Sequence, residues 1–392
     1  MLVSKQIFKV IPMRLICCTI IINLILVKIR NNVAGARYSK ITEIKTYIPR
    51  RKISNDELRY LCDIDTSHEW IESRTGIHYR HIAGEDETLA QMAAKASEIA
   101  LNKADERISR PVDLVLLATN TSVSDPLAQA GFPCIAGDVQ QRITGLIRDK
   151  CGISDIQSGC VGINYALAFG DGLIRAGYLD RVLVIGADIL SRIVDFNDRS
   201  TCVLFGDGAA AYVLDVSDLP GFVGHRFYGD GAKRGIITSP LRMRRYLDEP
   251  KNQTSYAPTL IMDGRSVHEE VIKILVNTFA NFENDLLLNP YGVNFSEVAK
   301  IIPHQANCRT IEAAARKIAK MRSKLGVDAN SLEDVRSKFI VTIDEYANNS
   351  TASQGPGLEE VLYGENCLKE GEHVVMCSYG SGFSACFNHY VV

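Results

Sequence analysis

The 392-residue chain lacks most of the features that would settle its class at a glance. Its eleven cysteines include no CxxC pair and none at a metal-like spacing from histidine. That excludes the common zinc motifs, and an odd count argues against a disulfide framework. Cys134, Cys202 and Cys377 lie in apolar runs, as reduced, buried thiols of a reducing compartment do. No apolar run is long enough to span a bilayer comfortably, the best being the 13 residues Leu15–Val27. Acidic residues are missing from the first 42 positions, which carry seven Lys/Arg. Subtracting those seven from the 44 basic residues leaves 37 against 46 Asp/Glu, so the remainder sits near −9. A chain with that balance is not a general nucleic-acid binder. Tryptophan is nearly absent too, Trp70 standing alone.

Residues 1–36 read as an N-terminal extension. Ala34-Gly35-Ala36 offers a small-residue cleavage pattern, but Lys28 and Arg30 intervene where a signal peptide avoids charge. A targeting segment and a misassigned start upstream of Arg37 both fit. The expected location is the cytoplasm, or a plastid or other organelle if the extension is a targeting segment.

What is present is the composition of a globular protein, 46% apolar and 23% charged, at a length suited to two compact units. Short β-type runs alternate with helical patterns, which predicts an α/β architecture with buried sheets. Val112–Ala118, Val182–Ala187 and Ala209–Leu214 read as strands, and a helix is expected from Cys160 to about Ala176, closed by Gly177. Asp218-Leu219-Pro220-Gly221 marks a turn, placing the halves at 37–217 and 218–392. Leu179–Ala187 followed by Phe205–Ala209 is echoed by Gly371–Ser378 followed by Gly380–Phe383, as in a duplicated unit.

Three positions carry chemistry. Cys160, in Ser158-Gly159-Cys160-Val161-Gly162, precedes a helical pattern, where the positive dipole end favours a thiolate. His304 ends the buried run Ile301-Ile302-Pro303, with Asn307 as a cap for the helix that follows. Asn349 lies in the small polar stretch Asn348–Ser353, and Asn348 has nearly the same claim. Taken singly, each has a plainer reading: an inert buried thiol, a structural histidine, a turn asparagine.

Together with Asp65–Ile77, Asp198–Thr201, Phe205–Ala209 and Pro303–Asn307, in that order, these segments resemble the β-ketoacyl-acyl-carrier-protein synthase III family of the thiolase fold. The resemblance covers nearly all of Tyr38–Val392 and implies two duplicated α/β halves packed as a layered αβαβα sandwich. It implies a Cys-His-Asn triad of Cys160, His304 and Asn349, without metal or cofactor. Cys160 would take an acyl group from an acyl-coenzyme A. His304 and Asn349 would donate hydrogen bonds to a malonyl thioester on acyl carrier protein as it loses carbon dioxide. An amide donor favours decarboxylation over deprotonation of a carbon acid. The oxyanion hole and acyl pocket would use the Cys160 amide, the turn Gly380, Gly382 and Phe383, and Phe132, which the family's dimer partner inserts. Trp70, Arg74 and Arg199 match positions that bind coenzyme A, with Trp70 and Arg199 sandwiching the adenine. Arg309, Arg316, Lys320 and Lys324 share a helix face that would dock an acidic carrier protein, and a homodimer is expected.

Two departures from the family pattern lie outside the triad. Met321–Lys338 looks inserted, and Ser381 interrupts a turn that is usually all glycine. A specialised ketosynthase or acyltransferase of a secondary-metabolite pathway is the alternative. A silent partner subunit and a thiol hydrolase fit less well, since all three polar residues of the triad are present.

Overall fold

A computed structural model describes residues 37–122, 134–239, 260–326 and 331–392. Two mixed sheets organise them. The first has five strands in the order Tyr38–Tyr47, Asp207–Ser217, Arg181–Ile189, Leu114–Ala118, Gly152–Ile156. The second has four, Phe222–Gly229, Ser384–Val391, His373–Gly380 and Val298–Pro303. Read in that direction, both begin with two antiparallel pairings and continue with a parallel one. The echo between 179–209 and 371–383 is therefore the paired centre of each sheet. A remnant of a fifth strand survives in the second half, where Phe339 bridges Ile301 in parallel.

All nine residues of Arg181–Ile189 are buried, because helices cover both faces of the sheet. Strand alternation divides its side chains between two cores. Leu183 and Ile185 face an outer core with the helix Leu89–Asp105. Val182 and Val184 face a central core shared with the second sheet's Ile302, Val374 and Met376. The helices Gly162–Arg175 and Gly355–Tyr363 fill that central layer. Cys308–Leu325 and Gly264–Ala280 cover the far face of the second sheet. This is the αβαβα sandwich expected.

The predicted strands hold with bounds shifted by at most three residues. The helix begins at Gly162, two residues after Cys160, and Gly177 follows it in a left-handed conformation, φ +82°. Asn307 caps the next helix, its Oδ1 accepting from Arg309 N at 2.9 Å. Leu332–Lys338, within the stretch that looked inserted, is a short helix that folds back. It buries Val335 and pairs Arg336 with Glu312 at 2.7 Å.

Candidate active site

Cys160 sits in the elbow between the strand Gly152–Ile156 and the central helix. Gly159 takes φ +64°, and a side chain there would strike Ser381 Oγ at 2.4 Å. A side chain on Gly380 would come within 2.7 Å of Cys160 N. These two glycines let the turn of the second half lie directly on the Cys160 elbow of the first. A cavity of about 560 Å³ opens there, lined by Cys160, His304, Asn348, Ser350, Tyr379 and Gly382, with an apolar wall that includes Phe205 and Met262.

His304 follows the strand Val298–Pro303 and is fixed by its backbone, its N–H donating to Cys377 O at 2.7 Å. Tyr379 donates to the His304 carbonyl at 3.2 Å and packs its ring edgewise on the imidazole. Nδ1 lies 2.6 Å from Ser353 Oγ. Gln305 N donates to that oxygen at 3.4 Å; with the Ser353 hydroxyl donating to Nδ1, the ring proton sits on Nε2, the tautomer that a donor facing the cavity requires. Burial pushes the His304 pKa down to about 3, so the ring is a neutral donor at physiological pH.

The thiol departs from expectation. Burial pushes Cys160 up to about 11, the Ser350 hydroxyl pulling it down and Asp188 pushing it further up. A helix N-terminus alone would lower it, but here desolvation of the sulfur wins.

The structure also separates the two asparagines. Asn349 points away from the cavity, its Nδ2 donating to the Asp207 carbonyl at 2.8 Å and its Oδ1 buried without a partner. Asn348 lines the cavity instead. Its Oδ1 accepts from Ser350 N at 2.8 Å, which orients the amide and leaves Nδ2 without a protein partner among the described residues. The reason is local: Ala347 and Ser350 both take positive φ, +56° and +51°, and reverse the side-chain directions between them. The loop is pressed against the first sheet, where a side chain on Gly186 would meet Thr351 O at 2.3 Å.

A second cavity, of about 460 Å³, shares Met262, Val267, Ala306, Asn348 and Tyr379 with the first and opens beside Trp70, Arg74, Arg265 and Arg309. Arg74 and Arg199 both stack on the Trp70 indole, at 4.8 and 4.7 Å. A base stacking between Trp70 and Arg199 must displace that guanidinium, which is also bonded to the Asp65 carbonyl. Arg309, Arg316, Lys320 and Lys324 are exposed, while Arg322 of the same helix is buried on Glu283 at 2.6 Å. Phe383 packs in the outer core of the second half and lines neither cavity. Phe132 lies outside the described residues. Ser350, Ser353 and Asn120 also reach the site, and small polar residues in irregular loops gave no sequence signal for them.

Residues 154–231 match the family model for 3-oxoacyl-[acyl-carrier-protein] synthase III, and residues 288–387 match that of its C-terminal region. The chain is 36% identical over 352 residues to a β-ketoacyl-[acyl-carrier-protein] synthase III of Methylococcus capsulatus, across 89% of this chain and 97% of that protein. The chain belongs to the 3-oxoacyl-[acyl-carrier-protein] synthase III family. A synthase III of Neisseria gonorrhoeae is 35% identical over 348 residues, again 89% of this chain and 97% of the relative. The crystal structure of the synthase III from Aquifex aeolicus superimposes with a TM-score of 0.72 at 32% identity, covering 90% of this chain and all of that one. The priming β-ketosynthase of the R1128 polyketide pathway gives 0.76 at 28% identity, covering 92% and 98%. The synthase III fold thus accounts for the layers, the duplicated sheets and the cavity at their junction.

Proposed function

We propose that this protein condenses an acyl group from an acyl-coenzyme A with a malonyl group on acyl carrier protein, with Cys160 as nucleophile and His304 and Asn348 as carbonyl-binding donors. One observation carries the reading: a thiol, a neutral imidazole and an unpartnered amide line one cavity that adjoins an arginine- and tryptophan-rimmed mouth. Asn348 takes the role that the resemblance gave Asn349.

In the first half-reaction Cys160 attacks the thioester carbonyl. The oxyanion develops beside the Cys160 amide and the Gly380–Gly382 turn. Coenzyme A leaves with the proton that began on Cys160. In the second, the bond to the malonyl carboxylate breaks and its electron pair becomes an enolate, held at oxygen by His304 Nε2–H and Asn348 Nδ2–H. The enolate carbon attacks the acyl-cysteine, and Cys160 departs as thiolate to be reprotonated from solvent. His304 does not act as a base, since its depressed pKa leaves it a donor throughout.

Trp70, Arg74 and Arg199 serve the coenzyme A end, and Arg309, Arg316, Lys320 and Lys324 the acidic carrier. We take the enzyme to be a homodimer. The edge strand Gly152–Ile156 supports this, since its first three residues are exposed and its outer side is unpaired among the described residues. Among the described residues no helix is long and apolar enough to cross a membrane, and the nine cysteines that lie among those residues are free. We place the activity in the cytoplasm, with an organelle as the alternative. The likeness to a priming ketosynthase favours a second reading, in which the product enters a polyketide pathway.

Incubation with acetyl-coenzyme A and malonyl carrier protein tests the reaction. A ketoacyl carrier product supports it, while bare transfer or free acid overturns it. Screening primers and carriers decides between the two pathways.

A further inference from the structure

Ser350 holds a backbone conformation that non-glycine residues rarely adopt, and it does so within reach of the nucleophile. Its Oγ lies 3.5 Å from Cys160 Sγ. Its own N–H is committed to Asn348 Oδ1. Asn120 Nδ2 donates to Ser350 Oγ at 3.0 Å and to Asp188 Oδ2 at 3.4 Å, which uses both amide hydrogens. Asn120 is itself anchored, its backbone N–H donating to Asp188 Oδ1 at 2.7 Å. The fully buried Asp188 also accepts from the hydroxyls of Thr119, Thr121 and Thr351. The consequence is directional. With Asn120 filling a lone pair on Ser350 Oγ, the single serine proton is shared between two acceptors, the Cys160 sulfur at 3.5 Å and the buried Asp188 carboxylate, and it turns to the sulfur as negative charge builds there.

We propose that Ser350 is a catalytic hydrogen-bond donor to Cys160 Sγ and that Asn120 is the positioning residue that aims its hydroxyl. The bond needs no proton transfer. It strengthens whenever the sulfur carries negative charge: as Cys160 loses its proton toward coenzyme A sulfur, and again as the carbon–sulfur bond breaks in condensation. Because burial disfavours the thiolate, this donor matters more here than it would at an exposed cysteine. Ser350 also holds Asn348, so one residue ties the nucleophile to the decarboxylation donor.

The inference rests on Cys160 being the acylated residue, and the experiment separates the two claims. Mass spectrometry of the full chain after acyl-coenzyme A treatment comes first; wild-type label on another cysteine sinks the Cys160 reading itself. Ser350→Gly is then the informative variant, because glycine accepts φ +51° without strain and the fold should melt no lower than wild type. Cys160 loading and iodoacetamide alkylation at fixed pH should each fall about tenfold, and the alkylation midpoint should rise by about one pH unit. Asn120→Ala should lower both partially, and adding it to Ser350→Gly should cost nothing more. A wild type that loads Cys160 beside a Ser350→Gly variant with the same loading rate and pH profile overturns the inference. So does full additivity of the two substitutions.

Discussion

Replacing each asparagine of the 348–349 pair by alanine separates chemistry from scaffolding. Asn348 keeps its Oδ1 on Ser350 N and presents Nδ2 to the cavity, so truncation deletes one of the two donors proposed for the enolate oxygen. In a water-poor site such a donor is worth roughly 10²–10³ in rate, or about 2.7–4 kcal/mol. Asn349 donates instead to the Asp207 carbonyl inside the protein. Its truncation removes that bond together with an already unpartnered Oδ1, so about 1 kcal/mol of stability is expected to go. Turnover should change less than tenfold. A third variant controls for the loop: Asn348→Asp keeps an acceptor for Ser350 N–H but puts a negative charge where the donor stood, and should be at least as damaging as alanine. The assay follows carbon dioxide release from malonyl carrier protein and, separately, acyl loading of Cys160. Asn348→Ala should lose the former and keep the latter within a few-fold. If Asn349→Ala abolishes decarboxylation while Asn348→Ala is mild, the loop geometry argued above is wrong.

Other perturbations read out the remaining parts of the site. Alkylation of Cys160 by iodoacetamide should climb about tenfold per pH unit from 7 toward 10, because burial holds the thiol near 11; a plateau below pH 8 would show a free thiolate. His304→Ala should still accept the acyl group and lose decarboxylation by about 10²–10³, and wild-type decarboxylation should show no histidine titration between pH 5 and 8. Since the folded His304 pKa lies below the ordinary 6.5, its neutral burial stabilises the fold above that pH. The contribution is lost as pH falls toward 3, which acid melting curves would record. Arg309→Glu with Lys320→Glu should weaken use of malonyl carrier protein and spare priming from coenzyme A, with added salt acting in the same direction. Trp70→Ala should do the reverse, and equal impairment of both steps by both variants would refute two-sided docking. Gly380→Ala places a methyl 2.7 Å from Cys160 N and should impair acyl loading at least a hundredfold; normal loading would show that the turn is free to move.

What could be read from the residues divides along the range of the interactions involved. The strands and the Asn307 cap depend on neighbours a few positions away, and short apolar runs and the capping rule found them. The direction of Asn348 against Asn349 depends on two left-handed residues, neither of them glycine, in a loop shaped by Gly186 a hundred and sixty positions earlier. No local pattern encodes that. The state of the thiol failed for a related reason: the helix end is visible in sequence, while the burial that outweighs it is a property of the assembled cavity. The duplication explains why assembly decides so much. Cys160 belongs to an elbow of the first copy, and His304, Asn348 and Ser350 come from the second. The glycine turn that follows the second copy's central strand lies against the elbow of the first. Neither half holds the Cys160 thiol together with the imidazole and amide that face it, so the site forms only once the central core of Val182, Val184, Ile302 and Met376 has closed. Substitutions that loosen that core should therefore cost decarboxylation before they cost secondary structure.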